Sequence, residues 1–396
     1  MLKEIINKYQ DHVDSIHIIS VKNEENVYTY SPVDEMNIHN NYHTLTITIT
    51  GNNTQTIFTC SPDKLDQAMK QNIALLKHQS PIFYVHNNSQ AQAVMRYHNQ
   101  IPNIQTSFTS LCQKLQSQFE IIENIEIANS DSTYSVVNSF GLDLQYEVKS
   151  TYVYAEVIAM KDNDKQAVYK YCIGRAYQEE AFVNELISLG RDKLNPKVLK
   201  TGIYNCVFTP NVARYFLETF FEFISGFSIV NKQSNPIRNS QLFSDAVTIQ
   251  EHNLNYCLYD YEGFPVQNYK PLVNQGILEN FALNRKHAKL CNLEPTGNGF
   301  ETESYLSLLV NCTDYVAKNY ITVREILSPD INLLTGQGSI MISGVDQDGQ
   351  SFFNSILSFD FFYLMKNLIP LSDLNRDSDV HTPSFFVPEL NVAGEQ

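Results

Sequence analysis

Residues 121–175 read IIENIEIANSDSTYSVVNSFGLDLQYEVKSTYVYAEVIAMKDNDKQAVYKYCIGR. They divide into alternating apolar and polar runs: IIENIEIANS, STYSVVNS, LDLQYEVKSTYVYAEVIAM and AVYKYCIGR. A turn at Asp162-Asn163-Asp164 separates the last two. A period of two over such lengths predicts an antiparallel β meander. Toward the N-terminus, TLTITIT at Thr44–Thr50 alternates strictly and puts Leu45, Ile47 and Ile49 on one face. The turn Gly51-Asn52-Asn53 then sends the chain back through Gln55–Cys60 as a hairpin. An earlier strand is expected at Ser15–Val21, after a short amphipathic helix over Leu2–Val13. Ser61, Pro62 and Asp63 make a helix start, and Leu65, Met69, Ile73 and Leu76 form its apolar stripe. Further helices are predicted at about Thr106–Phe119 and Gln178–Leu189. Helices and strands are thus mixed in the N-terminal region, a β-rich region follows, and the fold class is α+β.

Three regions follow: an N-terminal α+β domain at 1–100, a middle antiparallel β/α domain at 105–195, and a β-rich C-terminal domain at 197–396. The polar stretch His86–Ile104 marks the first boundary, and Lys193–Gly202, with its Asn195-Pro196, marks the second. The C-terminal region opens with the strand YNCVFTP and the helix ARYFLETFFEFISGF, expected to stop at Gly226. Beyond Val247, short apolar strands between Gly, Asn and Asp turns predict a barrel or sandwich.

With 396 residues, 43% of them hydrophobic, the chain can bury at least one large core. Its longest apolar stretches, Phe216–Phe227 and Leu357–Leu371, are broken by charges, so no membrane partner is expected. The first twenty residues lack the apolar stretch and cleavage site of a secretory signal, which predicts a cytoplasmic location. Seven widely spaced cysteines without C-x-x-C agree with reduced thiols. A net charge of -15 without a long basic run argues against nucleic acid as a partner.

A search for catalytic chemistry finds little. His39 and His43 are the only histidines four apart and lie in an Asn-rich stretch entering a strand; no H-E-x-x-H or G-x-S-x-G occurs. Gly297-Asn298-Gly299 and Gly336-Gln337-Gly338 lack the third glycine and the helix of a nucleotide loop and read as turns. Paired carboxylates stand out instead. Glu218 and Glu222 share a helical face at i and i+4, and Asp260 and Glu262 alternate in a strand ending at Gly263. An apolar helix that accepts two acids must expose one edge to water or to a cleft.

The ordered segments NSFG (138–141), TPNVARYFLETFFEFISG, QLFSDAVTI, YDYEGFPVQ, LVNQGILENFALNRKHAKLCNLEPTGNG, LLTGQGSIMISG and TPSFFVPELNVAG resemble the TldD/PmbA family. The resemblance covers the C-terminal half and the middle meander, and the first 100 residues match only in outline. In that family the TldD-like subunit carries an H-E-x-x-x-H zinc helix and the TldE-like subunit lacks it. The corresponding helix here reads Leu217-Glu218-Thr219-Phe220-Phe221-Glu222, keeping the glutamate and replacing both histidines by Leu217 and Glu222.

The resemblance therefore implies a TldE-like, non-catalytic subunit with no metal or cofactor of its own. The partner that the resemblance implies is a TldD-like subunit whose zinc cleaves unfolded peptide enclosed in a shared cavity. In such a partner, zinc would polarise the carbonyl and activate water, with the motif glutamate as base. Cleft positions fall to Glu218, Glu222, Asp260, Glu262 and His287. One departure is the loop after Thr335-Gly336, which continues Gln337-Gly338-Ser339 where the family carries an arginine and small residues. Two other readings remain. One is a stand-alone metallopeptidase using Glu218 or Glu222 with Asp260, Glu262 or His287. The other is a homodimeric binding or regulatory protein, in line with the family's description as modulators of DNA gyrase.

Overall fold

The computed structural model describes residues 1–51, 54–76, 92–162, 164–174, 177–194, 196–252, 257–300, 303–305, 307–376 and 379–394. The N-terminal half runs α1 (Leu2–Tyr9), β1 (Ser15–Tyr30), β2 (Glu35–Gly51), β3 (Thr54–Cys60), α2 (Leu65–Leu75) and β4 (Gln92–Asn99). It continues with α3 (Ile104–Gln118), β5 (Ile121–Asn138), β6 (Asp143–Lys161), β7 (Asp164–Ile173) and α4 (Glu179–Lys193). The expected meander is β5-β6-β7, and the expected hairpin is β2-β3, its turn residues Asn52 and Asn53 lying outside the described residues. Both belong to one seven-stranded sheet because β1 pairs β5 antiparallel along fourteen residues, from His17↔Asn138 to Tyr30↔Ile125. Strands from either side of the 100/105 boundary thus share a single layer.

The polar stretch before α3 is partly a strand. β4 runs parallel to residues 143–150 of β6, and β7 takes over the same edge at 152–161. Alternation sorts the two faces. On one, Ile16, Ile18, Leu45, Ile47 and Ile49 pack with α1 and α2, and Ile125, Ile127, Val153 and Val157 pack with α3 and α4. The other face turns toward the C-terminal half, where Met95, Leu144 and Tyr146 meet Cys257, Tyr259, Tyr261 and Phe300. The Tyr146 hydroxyl donates toward the carbonyls of Tyr259 (2.8 Å) and Asp260 (3.0 Å).

The C-terminal half holds two sheets around a helix. Its elements are β8 (Gly202–Phe208), α5 (Pro210–Phe223), α6 (Gly226–Val230), β9 (Ile249–His252), β10 (Tyr269–Asn274), β11 (Ile277–Leu278) and α7 (Arg285–Leu290). Then come β12 (Leu308–Val310), β13 (Tyr320–Ile331), β14 (Gln337–Val345), β15 (Ser351–Asp360), α8 (Phe361–Asn367), β16 (Ile369–Pro370), β17 (Val380–His381) and β18 (Phe385–Ala393). Of the barrel and sandwich alternatives, the barrel forms: the order β15-β14-β13-β8-β18 closes because β18 pairs back onto β15. A separate five-stranded sheet has the order β11-β10-β9-β12-β17.

Helix α5 lies between them, and its rings reach both sides. Phe216 meets Phe208 and Phe359 of the barrel, Phe220 meets Phe243, and Phe221 meets Tyr305. The helix stops at Phe223 rather than at Gly226, which instead opens α6 behind the Ser225 cap. A glycine is required there by space, since a Cβ would lie 2.5 Å from that of His287. Phe220 is fully buried at the centre of this core. Phe220→Ala is expected to remove about 3–5 kcal/mol of stability, read as a lowered midpoint in guanidinium unfolding.

Candidate functional site

Pro210 sits in the first turn of α5, and Val212, Ala213, Phe216, Leu217, Phe220, Phe221 and Phe223 bury most of the helix, leaving one polar edge. That edge is Arg214 and Glu218. Arg214 Nε donates to Glu218 Oε1 at 2.8 Å, its Nη2 lies 3.2 Å from Asp379 Oδ1, and Tyr305 Oη donates toward Glu218 at 3.3 Å. The guanidinium stands 5.8 Å from the ring centre of Tyr171 on β7. Leu217, by contrast, is 1% exposed in the core, and Glu222 is exposed a turn further on.

Beside this edge opens a cavity of about 710 Å³ between β7 and α4 on one side and α5 and β13 on the other. Tyr169, Lys170, Tyr171, Cys172 and Ile173 line it in unbroken succession. β7 pairs only with β6 among the described residues, so its outer edge faces the cavity. The cations around it are neutralised in place: Lys170 by Glu185, Arg324 by Asp192, and Lys193 by Glu325.

Asp260, Glu262 and His287 form a second, separate group. Asp260 is wholly buried and heads a turn ending at Gly263. Its Oδ1 accepts from the amides of Glu262 (3.0 Å) and Phe264 (2.8 Å), and its Oδ2 accepts from Gly299 N (2.9 Å). Glu262 Oε2 accepts from Arg285 N at 2.7 Å. His287 is capped through its amide by Asn284 and contacts Glu303 through Nδ1. Gly297-Asn298-Gly299 is the expected turn, yet it also joins this group to a buried ion pair. Lys270 Nζ lies 2.5 Å from both Glu251 Oε2 and Asn298 Oδ1, and Asn298 Nδ2 donates to the Glu251 carboxylate. A side chain at position 299 is excluded, because a Cβ would stand 2.5 Å from Glu262 Oε2.

Burial pushes the Asp260 carboxyl up to about 6 against the pull of its amide donors. Burial and then the Asp260 charge push Glu262 up to about 8. Both values exceed those of the unfolded chain, so each group's contribution is fully present at acidic pH and is lost as pH rises through the folded value. Glu262→Gln is therefore expected to raise the melting temperature by a few degrees at about pH 8.5 and to leave it nearly unchanged at about pH 5. An equal shift at both would mean that the folded carboxyl titrates normally. For the buried pair, Lys270→Met strands Glu251 and is expected to cost about 3–5 kcal/mol, with part recovered in the double variant carrying Glu251→Gln.

The structure thus unites Asp260, Glu262 and His287, holds Glu218 apart in an ion pair, and leaves Glu222 on the surface. His39 is exposed, while His43 is held by Ser20 at 2.8 Å. Among the described residues no three His, Cys, Asp or Glu side chains converge to hold a metal. The fit of a zinc ion to α5 fails on its own chemistry, since a buried leucine has no lone pair and Glu218 is already engaged. Arg214 could have been found from its i, i+4 spacing to Glu218. Asp379, Tyr305 and Glu303 come from distant loops, with no local signal. No helix of the described residues is long and apolar enough to cross a membrane.

An α+β chain whose N-terminal sheet faces a barrel across a cavity defines the class. Residues 201–394 match the PmbA/TldA metallopeptidase C-terminal domain, and the chain belongs to the TldD/PmbA family. It is 25% identical over 317 residues to a metalloprotease PmbA homolog of Buchnera aphidicola subsp. Baizongia pistaciae, covering 71% of this chain and 69% of that one. To the Haemophilus influenzae homolog it is 23% identical over 283 residues, covering 65% of this chain and 61% of that protein, less than two thirds of its length. The fold is shared with a candidate modulator of DNA gyrase from Bacteroides thetaiotaomicron (TM-score 0.87, 14% identity, 99% and 98% of the two chains). It is also shared with TldE from Thermococcus kodakarensis (TM-score 0.83, 14% identity, 99% and 100%).

Proposed function

We propose that this chain is a non-catalytic, cytoplasmic subunit that completes the peptide cavity of a zinc metallopeptidase whose metal resides in a TldD-like partner. The observation that carries this is the pairing of an open strand edge with a disarmed helix. The outer edge of β7, which pairs with no strand among the described residues, runs along the 710 Å³ cavity, where an extended peptide would find main-chain donors and acceptors. The helix on the opposite wall turns Leu217 inward and ties Glu218 to Arg214. Enclosure alone is useful chemistry for a partner's zinc, because excluding water strengthens the electrostatics of the cleavage step. The described cysteines are all free thiols, in keeping with a reducing compartment.

The test is to purify this chain alone and with a TldD-like protein from the same cell, recording mass, zinc content and cleavage of an unfolded peptide. The expected result is a metal-free, inactive chain and a mixed complex that binds zinc and cleaves. Zinc and cleavage in the isolated chain would support the stand-alone peptidase instead, and a homodimer indifferent to the partner would support a binding or regulatory protein.

A further inference from the structure

The face of the N-terminal sheet that turns away from the four helices carries a row of tyrosines beside the cavity. Along β6, Tyr152, Tyr154 and Glu156 point to this face, and along β7 so do Tyr169 and Tyr171. The rings form a ladder: Tyr152 and Tyr154 stack with centroids 6.4 Å apart at 8°, and Tyr154 and Tyr169 at 6.4 Å and 29°. Tyr152, Tyr169 and Tyr171 are 37%, 51% and 46% exposed, an unusual outlay of ring surface beside an open cavity.

Two carboxylates border the ladder. Tyr154 Oη donates to Glu156 at 2.9 Å, and Glu126 sits directly opposite Tyr154 on β5. Neither glutamate has an ion-pair partner among the described residues, whereas the bases around the neighbouring cavity are all paired. Burial, followed by the charge of Glu25, holds Glu126 above the usual carboxylate range, the condition of an acid lacking a cation. The same rings already accept cations within the chain. Arg214 lies over Tyr171, and Lys193 lies 5.9 Å from the centre of Tyr169. Ring faces and carboxylates together attract ammonium and guanidinium groups and offer nothing comparable to an acid.

From this charge and ring complementarity we infer that the tyrosine face of β6 and β7, with Glu156 and Glu126, selects peptides that carry lysine or arginine. Side chains of a strand added at the β7 edge and pointing to this face would run over Tyr169 and Tyr171 toward Glu156, two strand spacings, or roughly 10 Å, away. An extended lysine or arginine covers most of that span. This inference rests on the peptide-cavity reading and adds the substrate's charge to it.

The test uses the full chain, alone and mixed with a TldD-like protein, and two fluorescein-labelled unstructured peptides of equal length, one of alternating lysine and serine, the other of alternating glutamate and serine. Fluorescence anisotropy is expected to show the lysine peptide bound at least about tenfold more tightly, with the preference shrinking in high salt. The double variant Glu126→Gln with Glu156→Gln should abolish the preference. Tyr169→Ala should weaken lysine-peptide binding several-fold while Tyr169→Phe preserves it, with melting curves confirming that each variant folds. Equal affinity for the two peptides, binding of neither, or a preference untouched by the glutamine variants would overturn the inference. Cleavage by the mixed complex separates the two readings. Charge-blind binding with cleavage sinks only this inference, and charge-selective binding without cleavage in any mixture sinks only the subunit reading.

Discussion

The structure depends above all on the burial of one aromatic helix. α5 carries four phenylalanines in fourteen residues, and all four are buried; their rings bridge the barrel and the layer opposite it. The barrel presents Phe208 and Phe359 to it, and the other side presents Phe243 and Tyr305. Such edge-to-face pairs tolerate little displacement, so the helix is fixed in rotation as well as in place. Its one polar edge has nowhere to point but the cavity. The positions of Arg214 and Glu218, and the inward turn of Leu217, follow from that rotation.

The second constraint is the joint between the halves. Tyr146 reaches from β6 to the carbonyls of Tyr259 and Asp260, while the Asp260 side chain collects three amides from the turn and from Gly299. Asp260 thus organises a loop cluster against which the N-terminal sheet rests. An acid satisfied on both oxygens by backbone amides has little capacity left for a metal or a reacting group, and its role is positional. The Lys270–Glu251 pair behind it extends the same network into the five-stranded sheet.

Much of this was legible locally. Strict alternation at Thr44–Thr50 and along residues 121–173 gave strands with the right faces, and the Ser61-Pro62 start placed α2 within a few residues. Long-range pairing was not legible. β4 reads QAVMRYHN, with no clear alternation, because it is a short edge strand whose identity comes from β6 alone. Barrel closure depends on β15 meeting β18, a register that no turn sets. Among site residues, Asp260 and Glu262 do lie together, but in a turn capped by the Asp260 carboxylate rather than in the strand that period two predicts, and their union with His287 required Glu303 and Gly299 to be brought in by loops. The Glu218–Glu222 pair was the wrong i, i+4 pair to stress: Arg214 at the preceding turn holds Glu218, and packing sends Glu222 to solvent.

The succession of β4 and β7 along one edge of β6 has a consequence for the order of assembly. β7 pairs β6 from Lys161↔Asp164 onward, a contact between near neighbours that closes quickly. β4 must instead align in parallel with a strand some fifty residues later, and its Met95 then packs with Cys257, more than a hundred and fifty residues on. Two halves of a single edge are therefore completed at very different moments. The cavity side is built from local pairing alone, whereas the β4 side, once paired to β6, lacks the packing of its Met95 until Cys257 has been made. A chain emerging from the ribosome would present a finished β7 edge before it possessed the far wall of the cavity that the edge serves.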